Sequence, residues 1–359
     1  MPLYTDIISG RRRGLLGAAS RAALQVMSLP YCGLVNLRNW YYDTIANVRR
    51  LDRPCISIGN ITTGGTGKTP LVIWLADELI QAGKKVAIIS RGYKGNAHGN
   101  DELELVSRAC PKAICIANPD RVTAGYYAIE EHDVDVIILD DAFQHRRVDR
   151  DLDVLLLDSA CPFGFGHILP RGLLREPVRG LDRAQVIVMS HISCVSPNQL
   201  ADLKSLCTRH NPNARILGCE HRPTGLLGPD GRSEEISQLS GAAILAFAGI
   251  GNPDGFVQTL TNLGAKPKRM IPFADHHHYD LADCRRITAA ARNVGAEILL
   301  TTEKDMVKLR RLEHDWPVPL RSLQIKIDFS GGGGKMLLAL VDVLFEEPHT
   351  DDSATVRAD

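Results

Sequence analysis

From Pro54 onward, short apolar runs alternate with longer stretches whose apolar positions recur every three or four residues. Strands and amphipathic helices taking turns in this way predict a parallel sheet covered on both faces. Strands are expected at Cys55–Gly59, Val86–Ser90, 134–139, 154–157, 186–189 and 215–219, and helices at Lys68–Gln81, 120–132 and 197–209. Pro70 falls in the first turn of the helix at 68, where its missing N–H costs nothing. A loop rich in Gly, Pro and Asp at 223–233 marks a boundary, after which the alternation resumes. Strands at 244–249, 269–273 and 297–300 interleave with helices at 254–264 and Leu281–Val294. A glycine run at 331–335 precedes a last helix. The pattern predicts an α/β chain of two α/β/α sandwich domains, at 51–224 and, smaller, at 225–346. The polar residues 347–359 are expected to be a disordered tail.

The first fifty residues follow a different pattern. Arg11, Arg12 and Arg13 precede a mainly apolar stretch at 15–35 that contains Arg21 and is interrupted by Pro30. An arginine near a membrane centre costs about 2.5–3.5 kcal/mol, which argues against a spanning helix. On a helical wheel Gly17, Arg21, Gln25 and Ser28 form a polar stripe, with Leu16, Ala23 and Met27 on another face. Arg38, Trp40, Tyr41, Tyr42, Arg49 and Arg50 follow. The segment reads either as an amphipathic helix packed on its own domain or as an interfacial anchor with basic residues toward lipid headgroups.

Composition narrows the partners. Lysine plus arginine equals aspartate plus glutamate at 42 each, so overall charge gives no electrostatic case for nucleic-acid binding. Nine scattered cysteines without a Cys-x-x-Cys pair predict reduced thiols in a cytosolic protein. No cleavable signal peptide is visible.

The strongest chemical signal is Thr62, Thr63, Gly64, Gly65, Thr66, Gly67, Lys68 and Thr69, set between an apolar strand and a helix. Glycines let backbone N–H groups converge on phosphate oxygens, and the helix N-terminus favours the anion. The lysine reaches the outer phosphates of ATP and the threonine hydroxyl suits Mg²⁺. The first domain is therefore expected to be of P-loop NTPase type. The general motif begins with glycine where this chain has Thr62. Its Gly-Gly-x-Gly-Lys-Thr form resembles the branch of partitioning ATPases and dethiobiotin synthetase, although Thr63 stands where the partitioning ATPases carry a lysine. Asp140 and Asp141 end an apolar strand about seventy residues later. They read as Mg²⁺ carboxylates, directly or through water, or as a capped turn.

Three further clusters stay open on spacing alone. His145 either orients substrate or phosphate, or is a polar loop residue. Arg171, Arg175 and Glu176 either bind phosphate or form a salt bridge. In Asp275-His276-His277-His278-Tyr279-Asp280 three consecutive histidines cannot point one way, so they form no three-ligand metal site by themselves. One of them can carry a proton near neutral pH, or the cluster is a solvated loop.

Taken together these residues resemble the tetraacyldisaccharide 4′-kinase family. The resemblance spans Ser57 to Pro70, Ser90-Arg91-Gly92-Tyr93, Asp120-Arg121, Asp140 to His145 and Leu169 to Pro177. It continues in Gly249-Ile250-Gly251-Asn252-Pro253, Asp275-His276-His277 and Thr301-Thr302-Glu303-Lys304-Asp305. The resemblance implies transfer of the γ-phosphoryl of ATP to the 4′-hydroxyl of a tetraacylated glucosamine disaccharide 1-phosphate, yielding lipid IVA. It implies Lys68 and Thr69 on phosphates and Mg²⁺, Asp140 and Asp141 in the metal shell, and Arg121, His145, Arg175 and Glu176 lining the active site. The family's catalytic aspartate lies in Gly-Asp-Glu-Pro, which matches Asn100-Asp101-Glu102-Leu103 here, so Asp101 is implied as base. His276 resembles its histidine partner, and Lys68 and Asp141 join the catalytic set. Ala142 stands where the family usually has glycine, and Arg171 where a small residue is common.

A substrate with four acyl chains stays in the bilayer. The resemblance thus implies peripheral work at the cytoplasmic face of the bacterial inner membrane, with residues 11–50 as anchor. It implies no nucleic-acid partner and no obligate protein partner. Two other classes remain in view: a soluble P-loop ligase or kinase of the dethiobiotin synthetase type, and a non-enzymatic nucleotide-switch ATPase.

Overall fold

The structure, a computed structural model, describes residues 2–92 and 101–346. Tyr93, Asn100 and the expected tail at 347–359 lie outside the described residues. The rest divides into two compact units.

The first unit holds the sheet strands β1 (Cys55–Gly59), β2 (Val86–Ser90), β3 (Ile114–Ala117), β4 (Val136–Asp140), β5 (Leu152–Asp158), β6 (Val186–Ser190) and the start of β7 (Arg215–Leu227). Their order is β7-β6-β5-β1-β4-β2-β3, and every pairing is parallel. All five residues of β1, β2, β4 and β6 are buried, as the unbroken apolar runs require of strands covered on both faces. The helices are α1 (Pro2–Ile8), α2 (Leu15–Thr44), α3 (Lys68–Gln81), the C-terminal part of α4 (Asp101–Ala109), α5 (Arg121–His132), α6 (Pro197–His210) and, late in the chain, α10 (Gly333–Glu346). On one sheet face Ile56 and Ile58 of β1 pack in a cluster with Leu71, Leu75 and Leu79 of α3 and Leu337 and Val341 of α10. Each such side chain contributes about 1.5–3 kcal/mol on full burial.

The second unit comprises residues 101–105 and 221–326 among those described. Its strands β9 (Ile244–Ala248), β10 (Arg269–Pro272), β11 (Ile298–Thr302) and β12 (Leu320–Phe329) run parallel in the order β10-β9-β11-β12. The short β8 (Ser233–Glu234) pairs antiparallel with Leu226 and Leu227 of β7. Helices α7 (Pro253–Asn262), α8 (Leu281–Val294) and α9 (Glu303–Leu309) complete it. Both units are thus mostly parallel α/β.

Four expectations change. The loop at 223–233 is shorter than expected, because β7 runs on to Leu227 with Cys219 and Leu226 buried. Residues 327–346 belong with the first unit and not, as expected, with 225–326, because the apolar face of α10 completes the cluster around β1 and α3. Asp101 opens a helix where the sequence pattern gave no element; three acidic residues in its first turn complement the helix dipole. Pro30 does not interrupt α2, whose 30 residues continue past it with the proline on an exposed face.

The largest surprise is the orientation of α2. Its buried residues are Gly17, Ser28, Val35 and Asn39. Leu15 is 90% exposed, Leu34 68% and Leu37 60%, with Val26, Leu29, Trp40 and Tyr41 also exposed. The helix therefore lies on its unit by its mainly polar and small side and turns its apolar side outward. This inverts the packed amphipathic helix, which would hide its apolar stripe. Among the described residues no helix is long and apolar enough to cross a membrane.

Candidate active site

β1 leads through the buried Asn60 and Ile61 into the glycine-rich loop. Asn60 Nδ2 donates to Thr66 Oγ1 at 3.0 Å, and Ser190 Oγ donates to the Thr66 carbonyl at 3.2 Å, so the loop is held from two strands. Gly64 and Gly67 take φ of 122° and 86°, conformations that side chains resist. A Cβ built at Gly64 or Gly65 would meet no atom within 4 Å. The open space lies over backbone at the N-terminus of α3, where Lys68 and Thr69 begin the helix. That combination suits phosphate groups.

β4 is the parallel neighbour of β1, with Asp140 in register with Ile58, so the carboxylate ends its strand beside the strand that feeds the loop. Asp140 is buried. Asp141 follows in the left-handed region at φ 51°. Arg175 Nη1 donates to Asp141 Oδ1 and Oδ2 at 2.9 and 3.0 Å, and Lys68 Nζ lies 3.4 Å from Oδ1. Burial alone would raise this carboxyl, but the two cations outweigh it and hold it below its usual range. Asp141 thus stays ionised.

Arg175 reaches this position because residues 173–175 lie along the entry to the loop. Thr63 N donates to the Leu173 carbonyl at 2.7 Å, and Arg175 N donates to the Ile61 carbonyl at 2.7 Å. Glu176 next to it is 0% exposed. Its carboxylate accepts from Gln144 Nε2 at 2.8 Å, Arg183 at 2.9 Å and Asn39 Nδ2 at 3.3 Å. The location suits internal support and leaves no exposed oxygen for a substrate, unlike the lining role implied for it.

Arg121 opens α5 behind the cap of Asp120, is 2% exposed and donates to the Pro119 carbonyl at 3.2 Å. Burial, followed by the charges of Arg121, Arg147 and Arg150, pushes the His145 imidazole down to about 4. His145 Nε2 is buried and has no hydrogen-bond partner among the described residues. A neutral imidazole fits a hydrogen-bonding role better than capture of phosphate by charge.

The first unit thus brings together Lys68, Thr69, Asp140, Asp141 and Arg175, and sets the charge of Arg121 near His145. Among the described residues no cluster of three or more His, Cys, Asp or Glu forms a metal cage. Mg²⁺ is typically held by only one or two protein carboxylates, with substrate phosphates completing its shell. Thr69, Asp140 and Asp141 are the oxygen donors present for it.

His276 and Asp101 belong to the second unit. His276 is exposed, at φ 57°, with its N–H donating to the Gly249 carbonyl at 3.2 Å. Gly249 N donates in turn to Asp305 Oδ2 at 2.9 Å, and Thr302 Oγ1 donates to the same oxygen at 2.8 Å. Asp305 is fully buried with Lys308 3.6 Å away, so a rigid charged support underlies the histidine turn. His277 is engaged elsewhere, 2.7 Å from Asp283 and stacked on Phe273. Asp101 pairs with Arg311 at 2.9 Å. Lys304 Nζ donates to Glu102 Oε1 at 3.0 Å and lies 3.3 Å from His276 Nε2. Among the described residues no hydrogen bond joins Asp101 to His276; both are tied to α9 and the residues just after it.

Sequence reasoning missed Asn39, Gln144, Arg183, Lys304 and Arg311. Lys304 stood in a quoted motif and could have been singled out. Arg311 carried no local signal, since its partner Asp101 is distant in sequence, and Arg183 stands seven residues past Glu176 outside any recognisable motif.

The model of LpxK, tetraacyldisaccharide-1-P 4′-kinase, matches residues 20–342. The chain belongs to this family. A tetraacyldisaccharide 4′-kinase of Syntrophus aciditrophicus is 40% identical over 320 residues, covering 81% of this chain and 84% of the relative. One of Geobacter metallireducens is 39% identical, covering 80% and 88%. The crystal structure of LpxK from Aquifex aeolicus, described as an "apo" form in complex with ATP, matches with a TM-score of 0.71 and 29% identity. It covers 90% of this chain and 99% of its own. The chain is therefore a kinase that phosphorylates a lipid A precursor, and the soluble ligase and nucleotide-switch readings are not favoured.

Proposed function

We propose that residues 62–69 hold the phosphates of ATP while Asp101 accepts the proton of the 4′-hydroxyl of tetraacyldisaccharide 1-phosphate. The observation that carries the nucleotide half of this reading is the convergence of Lys68 and Arg175 on Asp141 beside the glycine-rich loop, and the base assignment rests on the resemblance of Asp101-Glu102 to the family's motif. In the transfer, the sugar oxygen forms its bond to the γ-phosphorus as the bond to the β-γ bridging oxygen breaks, and ADP leaves. The hydroxyl proton passes to the Asp101 carboxylate. Lys68 and the loop N–H groups neutralise charge that grows on the leaving oxygens. Thr69, Asp140 and Asp141 would hold Mg²⁺, which would supply further charge neutralisation there. Arg311 keeps the Asp101 carboxylate oriented, and Lys304 gives His276 a cationic neighbour.

The membrane side of the reading rests on α2. Its outward apolar side, with Trp40 and Tyr41 toward one end and Arg11, Arg12 and Arg13 before the other, fits a helix lying in the interface of the inner membrane's cytoplasmic face. There it would meet a substrate that never leaves the bilayer.

Thin-layer chromatography of labelled lipid product from wild type, Asp101→Ala and His276→Ala tests the assignment. The expected result is loss of transfer in both variants with ATP binding retained. Full transfer by Asp101→Ala would sink the base assignment.

A further inference from the structure

The apolar helix and the phosphate loop are joined by one continuous run of hydrogen bonds and ion pairs inside the first unit. Asn39 of α2 donates to Glu176 at 3.3 Å, and Gln144 Nε2 donates to the other oxygen of Glu176 at 2.8 Å. Arg175 donates to Gln144 Oε1 at 3.3 Å and to Asp141 at 2.9 Å, and Lys68 completes the run at 3.4 Å. A second run holds the backbone of the same arginine. Tyr31 of α2 donates its hydroxyl to the Arg175 carbonyl at 3.0 Å, and Arg175 N donates to Ile61 just before the loop.

An anchor needs only its outward apolar side. An apolar inner side would bind the unit more firmly and leave no buried polar group to satisfy. Instead the inner side carries Ser28, 1% exposed, and Asn39, 7% exposed. Charge balance does not require Asn39 either, because Arg183 already neutralises Glu176. The distinct property of Asn39 is its origin on α2. Buried hydrogen-bond networks in low dielectric are stiff, so a displacement of one member is passed to the next.

We propose that Asn39 is a positioning residue through which seating of α2 on a lipid surface sets Arg175, Asp141 and Lys68 and so tightens binding of ATP. The inference rests on the membrane reading of α2 above. A surface tightens ATP binding only if it favours the arrangement that binds ATP better, and ATP must then tighten surface binding by the same factor.

The test uses full-length protein, vesicles of phosphatidylethanolamine and phosphatidylglycerol without acceptor lipid, and a fluorescent ATP analogue. Vesicle cosedimentation and nucleotide Kd are measured for wild type, Asn39→Ala, Asn39→Ser and Leu37→Glu. Vesicles are expected to lower the wild-type Kd by about 5-fold or more, the lower end of typical coupling. The analogue is expected to strengthen cosedimentation equally. Both Asn39 variants should cosediment normally yet lose the response, the serine being too short to reach Glu176 and covering the case in which alanine unfolds. Leu37→Glu should keep wild-type Kd without vesicles and lose both cosedimentation and response. Cosedimentation of wild type without a change in Kd overturns the coupling alone, and so does an undiminished response in the Asn39 variants. Loss of cosedimentation in those variants overturns the positioning role in favour of simple attachment. Wild type that fails to cosediment overturns the membrane reading and the coupling with it.

Discussion

Arg175 presents one guanidinium nitrogen to both carboxylate oxygens of Asp141, at 2.9 and 3.0 Å. The contact fixes an acidic residue that sits in the left-handed region and would otherwise be free to turn. It also leaves Lys68 leaning on the same oxygen. Replacing Arg175 by alanine is expected to lower kcat for phosphoryl transfer by about 10²-fold, the scale of losing one preorganised charge-stabilising donor. Arg175→Lys should recover only part, because the lysine chain ends short of the one guanidinium nitrogen that bonds both Asp141 and Gln144. Steady-state kinetics with labelled ATP separates the two, and wild-type kcat in Arg175→Ala would refute the assignment.

Glu176 supports the site from below, and its removal should be felt in stability. Glu176→Ala leaves Arg183 without its buried carboxylate and is expected to cost about 3–5 kcal/mol. Glu176→Gln keeps the shape and should cost less. Urea denaturation of the three proteins gives the ranking; equal midpoints would contradict it.

His145 carries a prediction about pH. Its folded value, near 4, lies below the ordinary histidine value of 6.5, so the unfolded chain binds the extra proton first as pH falls. Stability attributable to the neutral ring is therefore complete above about pH 6.5 and declines as pH drops toward 4. His145→Gln should flatten that part of the stability–pH curve, as measured by thermal melts across the range. An unchanged slope would show that the imidazole does not titrate in this way.

The outward side of α2 predicts a change that spares the fold. Val26→Glu with Leu34→Glu alters two exposed positions, so the melting temperature should stay nearly constant. Vesicle cosedimentation should fall, because apolar area is what the interface takes up. A parallel loss of melting temperature would mean that these residues pack internally.

Much of the first unit was readable from local pattern. The glycines, Lys68 and Thr69 announce themselves because each obeys a steric or charge requirement at fixed spacing, and the apolar runs of β1, β2 and β4 are unmistakable. The helix at Asp101 escaped notice because it is only nine residues long, and Leu103, Leu105 and Val106 are its only large apolar residues. β12 was legible and went unread, since Leu323, Ile325, Ile327 and Phe329 alternate with polar residues as a half-buried strand requires. The outward turn of α2 was left open by local pattern, which allowed both a packed helix and an interfacial anchor. Its wheel shows two sides, and nothing local says which side meets protein. That depends on Asn39 finding Glu176, 137 residues away.

The route of the chain has a consequence for how the protein is made. The cluster around β1 and α3 includes Leu337 and Val341, which lie near the carboxyl end. A ribosome therefore releases the phosphate-binding loop long before the side chains that seal the sheet beneath it exist. Chains stopped at residue 326 would contain every glycine, lysine and aspartate of the phosphate site and still lack part of its floor. Such fragments are expected to be degraded or aggregated, while replacing 221–326 by a short linker gives the first unit a chance to close.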